Sequence, residues 1–181
     1  MQYSNKGSNS NKAGIVTGLF RDKESAEQAY RSLLDKGYTP DEVTVLMSEE
    51  TRNTHFKGKD NDSELGNKSL EGAGAGSAIG GTLGAIIGAV AAVGASVAIP
   101  GVGLVVAGPI VAALTGAGAG GLTGGLIGAL IGAGIPEDKA KVYKSGIKEG
   151  SIVMGVEPRS EADAEYFESE WETYNAEHLH R

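Results

Sequence analysis

Short apolar runs and longer periodic stretches alternate in the first 47 residues of this chain. The runs GIVTGLF (14–20) and VTVLM (43–47) are rich in β-branched residues, which is typical of buried strands. Between them, apolar residues recur at steps of three and four, which predicts an amphipathic helix that follows Asp22 and ends at Gly37. Residues 14–47 therefore predict a β-α-β unit.

The last quarter of the chain repeats these signals. Pro136 followed by two acidic residues is typical of the first turn of a helix, which we expect over 136–148. The run SIVMGV (151–156) predicts a third strand, and Ser160 begins a last helix that we expect to reach about residue 175. The acidic residues of this last helix are interpreted as the solvent face of an amphipathic helix rather than as catalytic carboxylates.

These two parts of the chain, 14–71 and 136–181, are called the wings. Together they predict one small α+β layer domain, in which β-α-β comes from the first wing and α-β-α from the second. Residues 1–13 are rich in Ser, Asn and Gly and are expected to form a disordered tail. Residues 48–71 are interpreted as a loop, with a short edge strand over 51–56 as an alternative.

The segment between the wings, 72–135, contains no charged residue and repeats glycine at every fourth position in two runs. This step keeps the glycines on one stripe of a helix, where a second helix backbone can approach closely. Each glycine costs a helix roughly 1 kcal/mol relative to alanine, so the regular spacing favours close packing that offsets the cost. The predicted packing residues are Gly72, Gly76, Gly80, Gly84 and Gly88 in the first run and Gly116, Gly120, Gly124, Gly128 and Gly132 in the second.

Proline and glycine separate the two runs. We expect a glycine-zipper hairpin with one helix over 76–98, a turn or re-entrant loop over 100–109 and a second helix over 110–134. An antiparallel pair of helices returns the chain to its starting point, which lets the wings form one domain. Each helix would be roughly 35 Å long, close to the bilayer core of about 30 Å. The residues assigned to the hairpin turn are Pro100, Gly101, Gly103 and Pro109.

Two environments suit such a hairpin. In a membrane the aliphatic side chains face lipid, and the length without charge favours this interpretation. In a soluble assembly, other copies of the chain cover the same side chains. The high glycine and alanine content and the lack of an aromatic belt favour this second interpretation. The side chains concerned are Ile79, Leu83, Ile86, Ile87, Val90 and Val93 in the first helix, and Leu122, Leu126, Ile127, Leu130 and Ile131 in the second.

Composition narrows the classes of function. The net charge is −7 and Lys and Arg are not clustered, which argues against nucleic acid as a partner. The chain has no cysteine, which excludes disulfides and fits a reducing compartment. Residues 1–12 lack an apolar stretch, so we expect no cleavable secretory signal and a location in the cytoplasm or on the cytoplasmic membrane.

Cofactor, metal and catalytic motifs are weak. Gly116, Gly118 and Gly121 spell G-x-G-x-x-G, the pattern of a dinucleotide-binding loop. Glycine, however, continues at the four-residue step beyond them, and Lys141 stands where an acidic residue would be needed to bind the ribose. We therefore expect no cofactor. The histidines are few and scattered, so we expect no metal site, and no nucleophile, base and stabiliser occur together, so we expect neither an enzyme nor a small-molecule substrate. The histidines are His55, His178 and His180.

Several motifs, read together, resemble the bacterial general stress proteins of the heat-induced, YflT-like kind, whose versions with a glycine-rich insert are described as low-temperature-induced proteins. The resemblance spans about residues 14–157 and implies a non-catalytic protein linked to stress, with no active site to transfer. We therefore expect a stress-response protein that self-associates through its hairpin in or on a membrane. The alternative is a soluble scaffold that assembles into a large homo-oligomer, filament or shell with the hairpins buried inside. The motifs are GLF-x-D-x-x-x-A-E-x-A (18–29), G-Y-x-x-D-E-V-T-V-L (37–46), I-P-G-V-G (99–103), G-I-P-E-D-x-A-x-x-Y (134–143) and E-G-S-I-V-x-x-V (149–156).

Overall fold

A computed structural model describes residues 14–56, 97–99, 103–111 and 118–181. The described chain contains six strands and four longer helices, and a single helical turn, Glu49–Thr51, follows the second strand. The strands are β1 Val16–Phe20, β2 Val43–Ser48, β3 Val97–Ile99, β4 Leu104–Ala107, β5 Ile152–Val156 and β6 Glu177–His180. The helices are α1 Lys23–Asp35, α2 Gly118–Gly132, α3 Glu137–Lys148 and α4 Glu161–Thr173.

The described strands form one six-stranded antiparallel sheet in the order β3-β4-β2-β5-β1-β6. Strand β5 from the second wing lies between β1 and β2 from the first, and it is antiparallel to both. The units β1-α1-β2 and β5-α4-β6 therefore interleave as in the ferredoxin-like split β-α-β arrangement. Strands β3 and β4 extend this sheet beyond β2. The fold is α+β, as the sequence predicts.

Helices α1 and α4 cover one face of the sheet. Both begin at the predicted caps, because the Asp22 side chain accepts from the Ser25 amide and the Ser160 side chain accepts from the Asp163 amide. Their apolar faces meet alternate strand residues in a first core, called the α1–α4 core. Its largest members are the aromatic residues Phe20, Tyr30, Tyr38, Phe167 and Trp171.

Helices α2 and α3 cover the opposite face in a second core, called the α2–α3 core. Because both faces are covered, the strands are buried residue after residue instead of alternating between buried and exposed positions. Part of the uncharged central segment thus contributes to the folded domain. This core contains Leu19, Leu46, Leu104, Val106, Ile110, Leu126, Leu130, Ile135, Ala140, Tyr143, Ile147 and Val153.

The helical hairpin expected from the sequence is wrong for the described residues 97–99 and 104–107, which form strands. Val97 and Ala98, expected at the end of a helix, lie in β3, and Leu104–Ala107, expected in a turn or loop, form β4. The second helix is also not continuous as expected, because Gly125 interrupts α2 with φ 57° and ψ −157°. β-branched residues are enriched here, and pairing with β2 gives them a buried sheet position that a lone helix would not.

Two smaller expectations also need correction. Residues 51–56, considered as an edge strand, form the end of the helical turn and a π-turn over Arg52–Phe56. The last helix ends at Thr173, close to the expected end near residue 175, but Glu177–His180, for which no strand was expected, pair with β1 as a sixth strand. That strand is not visible as an apolar run because its sequence is EHLH.

A buried hydroxyl pair joins the two wings. The Tyr143 hydroxyl donates to the His178 carbonyl oxygen at 2.8 Å. A phenol has one proton, so the Thr17 hydroxyl, 2.9 Å away, must donate to Tyr143. Burial raises the pKa of Tyr143 to about 12, although the bond from Thr17 opposes this shift. Helix α3 is thereby fixed to both β1 and β6.

Acidification is expected to destabilise the contact between the α1–β2 loop and the β5–α4 loop. The Glu42 carboxylate accepts from the Thr39 amide at 2.8 Å and from Arg159 at 2.7 Å. The Thr39 amide, then Arg159, lowers the pKa of Glu42 from 4.5 to about 2. The stability from this ionised group is complete above pH 4.5 and is lost as the pH falls towards 2.

The expected loss is about 1 kcal/mol, because the Glu42 side chain is more than one-third exposed and solvent screens the pair. Urea unfolding between pH 6 and pH 2.5 measures it, and Glu42→Gln is the control. If the difference between the wild-type and Glu42→Gln unfolding free energies stays constant over this range, the assignment to Glu42 is wrong.

Candidate functional site: the outward face of helix α2

The structure describes four of the ten zipper glycines, all of them in α2. Gly120 and Gly124 lie in its first half, and Gly128 and Gly132 lie in its second half. The predicted turn is described in part, because Gly103 has φ 62° just before β4 and Pro109 lies in the turn after it. Outside the described residues lie Gly72, Gly76, Gly80, Gly84, Gly88, Gly116, Pro100 and Gly101.

The inward side of α2 anchors the helix to the sheet. Leu126 and Leu130 are four residues apart, so they lie on the same side of the helix, and both are buried in the α2–α3 core. The membrane interpretation directs these two side chains towards lipid. In the structure they contact the domain's own core instead, and Ala129 beside them is also buried.

The outward side of α2 carries a narrow ridge of backbone, called the α2 ridge and made of Gly128, Ile131 and Gly132. All three residues are exposed, and Ile131 shows 44% of its surface. Apart from the chain neighbours and the backbone of α2 itself, no atom of the described residues lies within 4 Å of the position that a Cβ would take on Gly128 or Gly132. The glycines are therefore not explained by a close approach within the described part of the domain.

The end of α2 fixes the direction of this ridge. The Gly134 amide donates to the Ile131 carbonyl at 2.9 Å and the Ile135 amide donates to the Leu130 carbonyl at 3.0 Å, which is the Schellman arrangement. Ile135 and Leu130 both lie in the α2–α3 core, so the apolar contact that accompanies this motif is present. The last turn of α2 is thus fixed both by backbone hydrogen bonds and by the burial of its apolar side chains.

Gly125 gives α2 a bend just before the ridge. Its φ of 57° and ψ of −157° lie in a region that is essentially restricted to glycine. The second half of α2 can therefore lie on the sheet in a direction that the first half does not share. Within the described residues, the helices are too short or too polar to span a bilayer.

The other candidate residues are dispersed. His55 lies in the π-turn after β2, while His178 and His180 lie in β6. Burial, followed by the charge of Lys139, lowers the pKa of His180. Among the described side chains, no group of three His, Asp or Glu residues is arranged to hold a metal ion. The acidic side of α4 is partly neutralised by Arg181, which bridges Glu161 and Glu168.

Comparison with known proteins identifies no relative of this chain. Neither protein-family models, nor curated proteins, nor solved structures give a significant match.

The α2 ridge can make close apolar contact with another small-residue surface. It contains no charged group, and its glycines allow a second backbone to approach more closely than any side chain would permit. The four-residue repeat identifies the glycines of this ridge. It does not identify Ile131, which the membrane interpretation grouped with Leu130 although Leu130 is buried and Ile131 is exposed.

Proposed function

We propose that this chain is a non-catalytic bacterial stress-response protein that associates with copies of itself through the α2 ridge. The observation that carries this proposal is the exposure of Gly128, Ile131 and Gly132 on a helix whose opposite side is anchored. Glycine in the exposed interior of a helix costs stability, and no described neighbour offsets that cost. Contact with a second copy would offset it. The link to stress rests on the resemblance of the sequence motifs.

The same geometry supports self-contact over contact with a charged partner. The ridge belongs to a segment that has no charge over 72–135, so a charged surface would lose hydration without gaining a counter-charge. A matching small-residue ridge has no such cost, and an isologous contact supplies that ridge from the partner copy. We propose the cytoplasm or the cytoplasmic side of a membrane as the location.

Leu126 and Leu130 are buried in the domain's own core. Their burial favours a soluble scaffold over a form in which the second half of α2 is embedded in a membrane. Fractionation tests this choice. Recovery of the chain in the supernatant after an alkaline carbonate wash, as a species of high mass, supports the scaffold. Retention in the lipid pellet supports the membrane form.

Replacing Gly128 and Gly132 together by alanine is expected to change two measurements in opposite directions. The isolated chain should be stabilised by about 1 kcal/mol, because alanine is the better helix former and each added methyl group enters open space. Self-association should weaken by roughly tenfold or more, because the methyl groups separate the two backbones. Urea unfolding at low concentration measures the first effect and light scattering across concentrations measures the second.

Ser145→Ala is the matched control, since Ser145 is exposed on α3 and is not part of α2. It should raise stability slightly without changing the mass of the assembly. An assembly that keeps its mass in Gly128→Leu with Gly132→Leu, or a wild-type chain that is monomeric at all concentrations, would contradict the proposal.

A further inference from the structure

Strand β6 pairs with β1 less regularly than the other described strands pair with their neighbours. Thr17 lies opposite His180 and Leu19 lies opposite Glu177, so β6 contains one extra residue between these two pairs. This bulge includes His178, which has a left-handed φ of 55°, and Asn175, just after α4, has a φ of 59°. Left-handed backbone is unfavourable for residues with a side chain, so other contacts must hold β6 in place.

Side chains from three other elements hold β6 in this position. Tyr143 of α3 donates to the His178 carbonyl oxygen at 2.8 Å. The Lys139 ammonium group, also on α3, donates to the Leu179 carbonyl oxygen at 3.2 Å. Ion pairs connect the first residue of β6 with β1, and the residue after β6 with α4: Glu177 with Arg21, and Arg181 with Glu161 and Glu168. Charged groups therefore contribute much of the attachment of β6.

Strand β6 and the residue before it cover part of the α1–α4 core. The Cβ position of Gly18 in β1 lies 3.0 Å from a Leu179 methyl carbon and 3.3 Å from the Trp171 ring. Leu179 and Ala176 pack against this core, and Trp171 within it is fully buried. Water would therefore reach β1 and the Trp171 ring if β6 moved away.

His180 places a titratable ring within this attachment. It is partly buried and lies opposite Thr17 of β1. Among the described residues, the charged groups that act on it are Lys139 and Asp138, both in the first turn of α3. Burial, followed by the charge of Lys139, lowers the pKa of His180 below 6.5, and Asp138 opposes this shift. Protonated His180 would therefore repel the ammonium group that binds the Leu179 carbonyl oxygen.

We propose that β6 is a pH-sensitive strap that leaves β1 when His180 is protonated, while the rest of the domain stays folded. His180 binds its proton less tightly when β6 is attached than when β6 is free. Attachment is therefore strongest above pH 6.5 and weakens as the pH falls through the lowered pKa of His180. Glu177 stays ionised in this range, because its hydrogen bond with Arg21 lowers its pKa below 4.5. None of these contacts involves α2, so the strap is independent of self-association through the α2 ridge.

Hydrogen exchange of the wild-type protein at about pH 7.5 and about pH 5.5 tests the strap, because histidine changes charge between these values. After correction for the intrinsic effect of pH on exchange, the amides of 177–180 should lose protection at the lower pH, while the amides of 152–156 in β5 keep theirs. The fluorescence of Trp171, the only tryptophan, should shift to longer wavelength over the same range. Unchanged protection of 177–180, or a parallel loss in β5, would overturn the proposal.

Two variants separate His180 from the other histidine of the same strand. His180→Gln cannot gain a proton, so β6 should stay attached at both pH values. His178 is exposed, and asparagine tolerates its left-handed φ, so His178→Asn is the matched control and should respond to pH as the wild type does. If folded His180→Gln still loses protection at the lower pH, or if only His178→Asn abolishes the loss, His180 does not control the strap and the proposal fails. The exchange of the wild-type protein decides the opening of β6 even if a variant does not fold.

Discussion

Gly108→Ala is expected to be among the most destabilising single substitutions in this domain, with a loss of at least about 3 kcal/mol. Gly108 follows β4 and has φ 90°, a backbone conformation that residues with a side chain rarely adopt. A Cβ at this position would overlap the Val43 carbonyl oxygen and lie 2.8 Å from the Thr44 Cα. Both neighbours are backbone atoms of β2, so relief requires that β4 move away from the strand with which it pairs.

Gly37→Ala is the control that separates steric overlap from backbone conformation. Gly37 has φ 78°, and no described atom lies within 4 Å of its Cβ position. This variant should therefore lose only the conformational cost, about 1–2 kcal/mol. Urea unfolding followed by the fluorescence of the buried Trp171, the only tryptophan, measures both variants. Equal losses for Gly37→Ala and Gly108→Ala would show that the close approach of β4 to β2 is not maintained in solution.

The wings are the part of the fold that the sequence predicts well. Local signals agree there with the tertiary structure, since the caps at Asp22 and Ser160 and the apolar runs of β1, β2 and β5 each match the element that forms. The order of the strands is not a local property. The position of β5 between β1 and β2 depends on contacts more than 100 residues apart, as in the pairing of Val16 with Val156.

Strands β3 and β4 show why periodicity fails in the central segment. A short apolar run is compatible with a strand or with a buried helix, and the glycine repeats on both sides favoured the helix. The repeats, however, end at Gly88 and resume at Gly116, and the interval between them contains both strands with all of their β-branched residues. The break in the repeat is thus the local signal of a change from helix to sheet.

The sequence predicts the glycines of the α2 ridge, but it does not predict which side of α2 faces away from the sheet. A four-residue step places Gly128 and Gly132 on one side of a helix, and the same step places Leu126 and Leu130 on another. The sequence does not specify which of these sides meets the sheet. The α2–α3 core decides this, because Leu104 and Val106 of β4 provide apolar surface for the leucines.

Leu130→Ala and Ile131→Ala, adjacent substitutions on α2, are expected to have effects of different kinds. Leu130 is fully buried, so its truncation should cost about 2–5 kcal/mol of unfolding free energy through lost contacts and a cavity. Ile131 is 44% exposed, so its truncation should change stability by less than about 0.5 kcal/mol. Only Ile131→Ala should weaken self-association while the domain stays folded, because Ile131 belongs to the α2 ridge.

These two variants also test where the second half of α2 lies, because Leu130 and Ile131 differ in burial only if the helix rests on the sheet. In a helix surrounded by lipid, Leu130 and Ile131 would both contact acyl chains and their truncation would have similar, small effects. Urea unfolding by Trp171 fluorescence and light scattering on the same samples measure both properties. Loss of stability confined to Leu130→Ala, with loss of assembly at constant stability in Ile131→Ala, is the expected result. Similar values for the two variants would show that α2 does not rest on the sheet through Leu130.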